Sequence, residues 1–214
     1  MKMTSGYVRT SPRKIPSQGR SRAAVQAILE AAARILESAN LERLTTNEIA
    51  EVAGVSTGTL YQYFPNKSAI ITALVEREVL NSLDAIESAV AMNGNGTALR
   101  SACEAAVRSL QERPRLSSAL LAAEPLMFMD GEKPPFAVLQ FRRFELLIEG
   151  EIGCGQCVES ITSQLLAMLK GLLLNAVFTG KLEDQRLPSD LGDLAVQFVA
   201  KAHKQCGARS AHDS

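Results

Sequence analysis

Leu44 to Lys67 reads LTTNEIAEVAGVSTGTLYQYFPNK: two short helices joined by a glycine turn, then the start of a third. Thr45 can cap the first helix, and Glu48 stands at the capping-box offset from it. Ile49, Ala50 and Ala53 give that helix a small apolar face. Gly54 ends it, because glycine tolerates the left-handed geometry of a C′ position. Val55 is expected as the buried pin of the turn, and Ser56 as the cap of the next helix. That second helix covers Thr57 to Phe64, and only Leu60 and Phe64 form an inward pair at i, i+4. Its other side chains are hydroxyls, phenols and an amide, with no acid among them, a face suited to a polyanion. Helix, glycine turn and polar second helix make a helix-turn-helix, whose second helix enters the major groove of DNA.

The longer run LTTNEIAEVAGVSTGTLYQYFPNKSAIITAL resembles the DNA-binding domain of TetR-type transcriptional regulators. The resemblance rests on the capped Thr-Thr start, the Ile-Ala pair, Ala-Gly-Val-Ser, Leu-Tyr-x-Tyr-Phe, and Asn-Lys opening a long helix. It covers roughly Arg22 to Leu80; the rest of the chain carries no motif of comparable specificity. It implies DNA contacts from Thr46 and Asn47, from Thr57, Gly58, Thr59, Tyr61, Gln62 and Tyr63, and from Lys67. Among these, Thr46 would help hold a phosphate at a helix N-terminus. Thr57, Thr59 and Gln62 have the chemistry for base edges, Gln pairing well with adenine. Gly58 leaves room for close approach, Tyr61 and Tyr63 look like phosphate contacts, and Lys67 like a salt-sensitive one. Alternatively, the tyrosine rings pack inside the head. Asn47 stands where some family members carry an arginine that reads bases.

Composition is that of a globular chain: 214 residues, 46% hydrophobic, 21% charged, no Trp. Net charge is zero, but residues 1–80 hold 10 Lys/Arg against 7 Asp/Glu and residues 81–214 hold 13 against 16. Lys2, Arg9, Arg13, Lys14, Arg20 and Arg22 precede the first acid, Glu30. Residues 1–20 therefore read as a flexible basic arm that either adds DNA contacts or serves as a solvated tail. The N-terminus lacks the apolar run of a secretory signal. The apolar run Leu165–Phe178 is short of the roughly 20 residues that span a bilayer. The expectation is a cytoplasmic protein with no membrane partner.

Periodicity predicts an all-α chain of about nine helices. A helix-turn-helix head covers 21–80, a helical bundle body 81–207, and a tail 208–214. Helix 1 spans about Ser21 to Ser38, with Val25, Ile28, Leu29, Ala32, Ile35, Leu36 and Ala39 at three- and four-residue steps. Leu41 and Leu44 anchor the connection that follows. Helix 4, capped by Asn66, runs from after Pro65 to Asn93 and is expected as the strut and sole covalent link between head and body. Thr97 is expected to cap helix 5, which stops before Pro114. A short helix over Leu116–Glu124 is expected to close at Pro125. The next, Phe136–Glu149, has Phe136, Leu139, Phe141, Phe144, Leu147 and Ile148 on its face and is broken by Gly150, Gly153 and Gly155. Helix 8 spans about Gln156 to Thr179 and is apolar nearly all round from Leu165, so it needs cover on several sides. Helix 9 starts at Pro188–Asp190, with Leu191, Leu194, Ala195, Phe198, Val199 and Ala202 as its stripe.

The last two helices pack either inside the monomer or against a second copy. The TetR resemblance implies a homodimer built from them, with Leu166, Leu169, Leu173, Leu191, Leu194 and Phe198 as interface candidates. It also implies a small-molecule effector bound by the body. Leu126, Met127, Phe128, Phe136, Phe141, Phe144, Leu173 and Phe178 are the candidate lining for a hydrophobic ligand, or equally plain core. Chemistry elsewhere is sparse. Cys154-Gly155-Gln156-Cys157 allows a thiol- or metal-sensing regulator, or a redox enzyme, but lacks the βαβ context of a redox motif and two further ligands of a closed zinc site. Cys103 reads as a small core residue. His203 and His212 stand too late in the chain to build a catalytic group. The reading is a ligand-responsive repressor that binds a pseudo-palindromic double-stranded DNA operator as a dimer, with no enzyme activity, metal or cofactor.

Overall fold

A computed structural model of the chain describes residues 19–38, 44–93, 97–127, 134–153 and 157–210. The arm before residue 19, Ala39, Leu41, the turn at 94–96, Phe128, Cys154, Gly155, Gln156 and His212 lie outside them. Among the described residues there are nine α-helices and no strand: α1 Gly19–Ser38, α2 Thr46–Val52, α3 Thr57–Tyr63, α4 Lys67–Asn93, α5 Ala98–Glu112, α6 Pro114–Met127, α7 Pro135–Ile152, α8 Val158–Phe178 and α9 Leu187–Ser210. The all-α reading holds.

The chain divides into two compact units: Met1–Glu78 with Ala119–Asp130, and Val79–Ser118 with Gly131–Ser214. Both α4 and α6 contribute residues to each, so the chain passes between the units three times. α4 is therefore not the sole covalent link. In the first unit α1 packs on α2 and α2 on α3. Ile28, Ala32, Ile35 and Leu36 of α1, Leu44, Ile49, Leu60 and Phe64, and Ile70 and Leu74 of α4 are buried there. Arg77 of α4 reaches Glu30 of α1 at 3.5 Å and pairs with its neighbour Glu78 at 2.7 Å.

In the second unit α5 packs on α9, and α8 lies against α7 and α9. Its core joins Leu83 and Ile86 of α4, Leu99, Ala102 and Val107 of α5, Phe144 and Ile148 of α7, Leu165 and Leu169 of α8, and Leu191, Ala195 and Val199 of α9. Gly192 lets α9 sit close on α5: a Cβ there would meet Glu104 Cγ at 3.0 Å, Arg100 Cγ at 3.1 Å and the Arg100 carbonyl oxygen at 3.3 Å. Arg100 cannot swing aside freely. Its Nε donates to Glu104 at 2.9 Å, its Nη1 pairs with Asp193 at 2.6 Å, and Arg108 holds the other Glu104 oxygen at 2.7 Å. The hydrogen bond from Arg100, aided by that from Arg108, holds the Glu104 carboxyl below its ordinary range, against the opposing effect of desolvation.

Several boundaries differ from the sequence reading. Pro114 begins α6 rather than merely ending α5, as the missing N–H costs nothing in a first turn. Pro125 does not close α6, which continues to Met127. Only one ladder bond is lost so near the end. Gly150 stays inside α7, since an interior glycine costs only about 1 kcal/mol. The helix ends at Gly153, whose φ of +63° takes the left-handed C′ geometry while its N–H donates to the Glu149 carbonyl at 2.9 Å. Leu139 falls off the buried stripe of α7 and is 50% exposed. Thr97 does not cap α5: its hydroxyl donates back to the Asn93 carbonyl at 3.2 Å. α9 continues to Ser210, through the first residues read as a tail.

Candidate nucleic-acid interface

The face of α2 and α3 is assembled from local chemistry first. Thr45 Oγ1 accepts from the Glu48 N–H at 3.2 Å and caps α2. At the other end Gly54 takes φ +67°. Its N–H donates to the Glu51 carbonyl at 3.1 Å, and the Val55 N–H to the Ala50 carbonyl at 3.0 Å. That pair of bonds is a Schellman closure, which satisfies the last carbonyls of α2 and turns the chain sharply. Val55 is half-buried rather than buried, because the two backbone bonds hold the turn and the side chain need not pin it. Ser56 Oγ accepts from the Thr59 N–H at 3.0 Å and starts α3. Leu60 and Phe64 seat that helix from beneath, both fully buried. Asn66 Oδ1 accepts from the Ala69 N–H at 2.8 Å and starts α4 directly after.

Side-chain bridges then fix the helices to one another. The Tyr61 hydroxyl lies 3.0 Å from Thr46 Oγ1, tying the middle of α3 to the first residue of α2. The Tyr63 hydroxyl lies 3.2 Å from Ser21 Oγ in α1. Both phenols thus have a partner within the protein. Tyr61 keeps its ring exposed, whereas Tyr63 is half-buried. Thr59 is half-buried, with its hydroxyl 2.8 Å from Ser56 Oγ and therefore engaged in the cap. Asn47, Thr57, Gly58 and Gln62 are exposed; Thr46 and Lys67 are half-buried, Lys67 opening α4. Ser56 to Tyr63 contains no acid. Gly58 has no conformational need to be glycine: its φ is ordinary, and an added Cβ would meet only Ser56 Oγ at 3.8 Å.

The candidates in the second unit separate by burial. Phe136 and Phe144 are core, Phe141 and Leu173 are half-buried, and Phe178 is 79% exposed, so it lines no interior of this chain. The Leu126 and Met127 side chains and all of Phe128 lie outside the described residues. Of the interface candidates, Leu169 and Leu191 are buried in the unit's own core. Leu166, Leu173, Leu194 and Phe198 are half-buried and packed against that core. The exposed residues of the two helices include Ala167, Gly171, Asn175 and Phe178 on α8 and Val196 and Ala200 on α9. α8 is long and apolar enough to cross a membrane, with a mean hydropathy of 1.5 over its apolar window, yet it packs against α7 and α9.

Cys157 is bonded to Cys206; Cys154 lies outside the described residues. The spacing Leu191, Ala195, Val199, Ala202, Cys206 continues the inward stripe of α9 and was the signal for it. No group of three or more His, Cys, Asp or Glu that could hold a metal is found among the described residues.

A family model described as bacterial regulatory proteins, tetR family, matches residues 28–74, which contain α2, α3 and the start of α4. A nucleoid occlusion factor SlmA from Haemophilus ducreyi is 35% identical over 111 residues, covering 50% of this chain and 54% of that protein. The chain thus spans about half the length of that relative. Solved structures extend the likeness over the fold. A TetR transcriptional regulator from Rhodococcus sp. RHA1 aligns with TM-score 0.60 at 23% identity, over 84% of this chain and 97% of its own. The fatty acid degradation regulator FadR from Bacillus halodurans aligns with TM-score 0.66 at 15% identity, over 86% and 97%. Residues 28–74 thus carry the signature of the tetR family of bacterial regulatory proteins, and the chain has the fold of these solved structures along most of its length.

Proposed function

We propose that the protein is a transcriptional repressor of the bacterial cytoplasm that binds a pseudo-palindromic operator as a homodimer and is released by a small hydrophobic molecule. The observation that carries the DNA-binding part is the acid-free face of α3, capped at Ser56, seated by Leu60 and Phe64 and bridged to α1 and α2 through its tyrosines. Such a face is rigid before DNA arrives, so little ordering cost remains on binding. Thr57 and Gln62 are its exposed base-reading groups. Thr46, Tyr61, Tyr63 and Lys67 serve the phosphates, which position the helix without reading sequence. Asn47 reaches less far than an arginine, and Thr59 is engaged in its cap, so α3 reads bases sparingly and the spacing of the two heads carries part of the specificity.

The dimer is assigned to the outer faces of α8 and α9. Ala167 and Gly171 allow close approach of a second helix, and Phe178 and Val196 supply apolar area that a single chain leaves uncovered. The effector is assigned to the second unit, near Phe141 and Leu173. It would act by binding one spacing of the heads better than the other.

Lys67→Ala tests the docking. It should weaken binding to every DNA sequence alike and reduce the slope of log K against log salt by about 1. An unchanged affinity and slope count against contact at the start of α4. A role across the nucleoid, as the name of the Haemophilus ducreyi relative has it, is separated by selecting bound fragments from the host genome. One or a few sites beside genes support a repressor; many scattered sites support the other role.

A further inference from the structure

Cys157 and Cys206 are 49 positions apart, yet the fold joins them with their Cα atoms 6.7 Å apart, within the span of a disulfide. Cys157 is buried at the N-cap of α8, and Cys206 is half-buried near the end of α9. Cys157 belongs to the apolar core of the second unit, and Cys206 packs against that core. The bond closes the open end of the α8–α9 hairpin, so the two helices lie within one covalent ring. Cys103 behaves differently: burial, and then the charge of Glu104, push its thiol up to about 12, and no thiolate is available there at neutral pH.

We propose that Cys157 and Cys206 form a hydroperoxide-responsive dithiol that latches α9 onto α8. In a reducing compartment both are thiols. Cys206, the more accessible, reacts first: its thiolate attacks the peroxide, an S–O bond forms as the O–O bond breaks, and the leaving oxygen takes a proton to depart as alcohol or water. Cys157 then attacks the resulting sulfenic acid. The S–S bond forms, the S–O bond breaks, and the hydroxyl leaves as water with the Cys157 proton. The sum is two thiols and one hydroperoxide giving a disulfide, an alcohol and a water. Exchange with a dithiol reverses it. Without the bond, the last turns of α9 are held by the apolar contacts of Ala202 and Cys206; with it, they cannot leave α8. The same two helices carry the proposed dimer face, so the latch bears on regulation only as far as that reading holds.

The test titrates the full chain, reduced under anaerobic conditions, with hydrogen peroxide. Expected are loss of two hydrogens by intact mass, a linked Cys157–Cys206 pair in the peptide map, and a thermal midpoint higher by on the order of 10 °C, all reversed by dithiothreitol. Cys206→Ser and Cys206→Ala should abolish the linkage and the shift, while Cys103→Ala leaves both. Position 206 is used because a serine at the buried position 157 carries its own folding cost. A Cys154–Cys157 link, linkage only between chains, or the expected link with no rise in midpoint overturns the latch. A further arm compares operator affinity before and after oxidation: a change in the wild type that is absent in Cys206→Ser supports the regulatory role, and equal affinities overturn that role. A chain that binds no DNA in either state sinks the repressor reading and leaves the mapping and thermal results to decide the latch.

Discussion

Gln62 and Thr57 are the exposed groups of α3 whose hydrogen-bonding capacity is not spent inside the head. Gln62→Ala should therefore cost about 1–3 kcal/mol at one base position and relax preference there, leaving the salt slope intact. Competition assays with single-base variants of a selected site check this; a uniform loss over all sequences would make Gln62 a phosphate contact instead. Gly58 allows a sharper separation of folding from binding. Nothing within the chain crowds an added Cβ there, so Gly58→Ala should stabilise the fold by about 0.5–1 kcal/mol. On the proposed docking it should weaken DNA binding at the same time, because the added methyl stands on the face that DNA would approach. Denaturant midpoints and binding isotherms on one preparation measure both. The caps at Thr45, Gly54, Ser56 and Asn66 were legible in the sequence because each acts within three or four residues. The bridges Thr46–Tyr61 and Ser21–Tyr63 were not, since they join residues 15 and 42 positions apart and depend on how three helices come together.

Between elements, the α5–α9 contact is the most specified. Gly192 admits α9 to within contact of the Arg100 carbonyl, while Arg100 and Glu104 are tied by their ion pairs. Gly192→Ala should destabilise by about 1–3 kcal/mol through overpacking, only partly offset by alanine's better helix propensity, as read from the urea midpoint. Glu104 sets an acid limb. Its carboxyl lies below its ordinary 4.5 in the folded protein, so its contribution is present above that value and is lost as pH falls from about 4.5 through the lowered one. Glu104→Gln should flatten the stability–pH curve in that window and leave it unchanged in shape near pH 7. Three- and four-residue spacing revealed α1, α4 and α9, whose buried faces are continuous. It misjudged α6 and α7, where Pro125 and Gly150 look like breakers but sit where packing outweighs the loss of one bond or a little entropy. It also missed Gly192, because a close approach leaves no periodic signature.

For the whole chain, the return of residues 119–130 to the first unit was not legible in the sequence. That return is made by contacts far apart in sequence. The leucines that dominate α8 and α9 drew attention as an interface, yet Leu169 and Leu191 face their own core. The uncovered surface belongs to smaller residues and to Phe178. A charge on that surface should therefore separate the proposed dimer: Val196→Glu with Ala167→Glu is expected to lower self-association at least about tenfold in sedimentation, with helicity retained. An unaltered dimer would move the interface elsewhere. The most direct measurement is a footprint of the wild type and of a Thr57→Ala, Gln62→Ala double variant on a fragment selected from the host genome. The wild type should protect two half-sites related by a two-fold axis, with centres roughly 34–36 Å apart, and the double variant should lose that protection at low concentration while still binding weakly to any sequence. A footprint identical in the two proteins, or no sequence-specific protection by the wild type, would show that α3 is not what reads DNA.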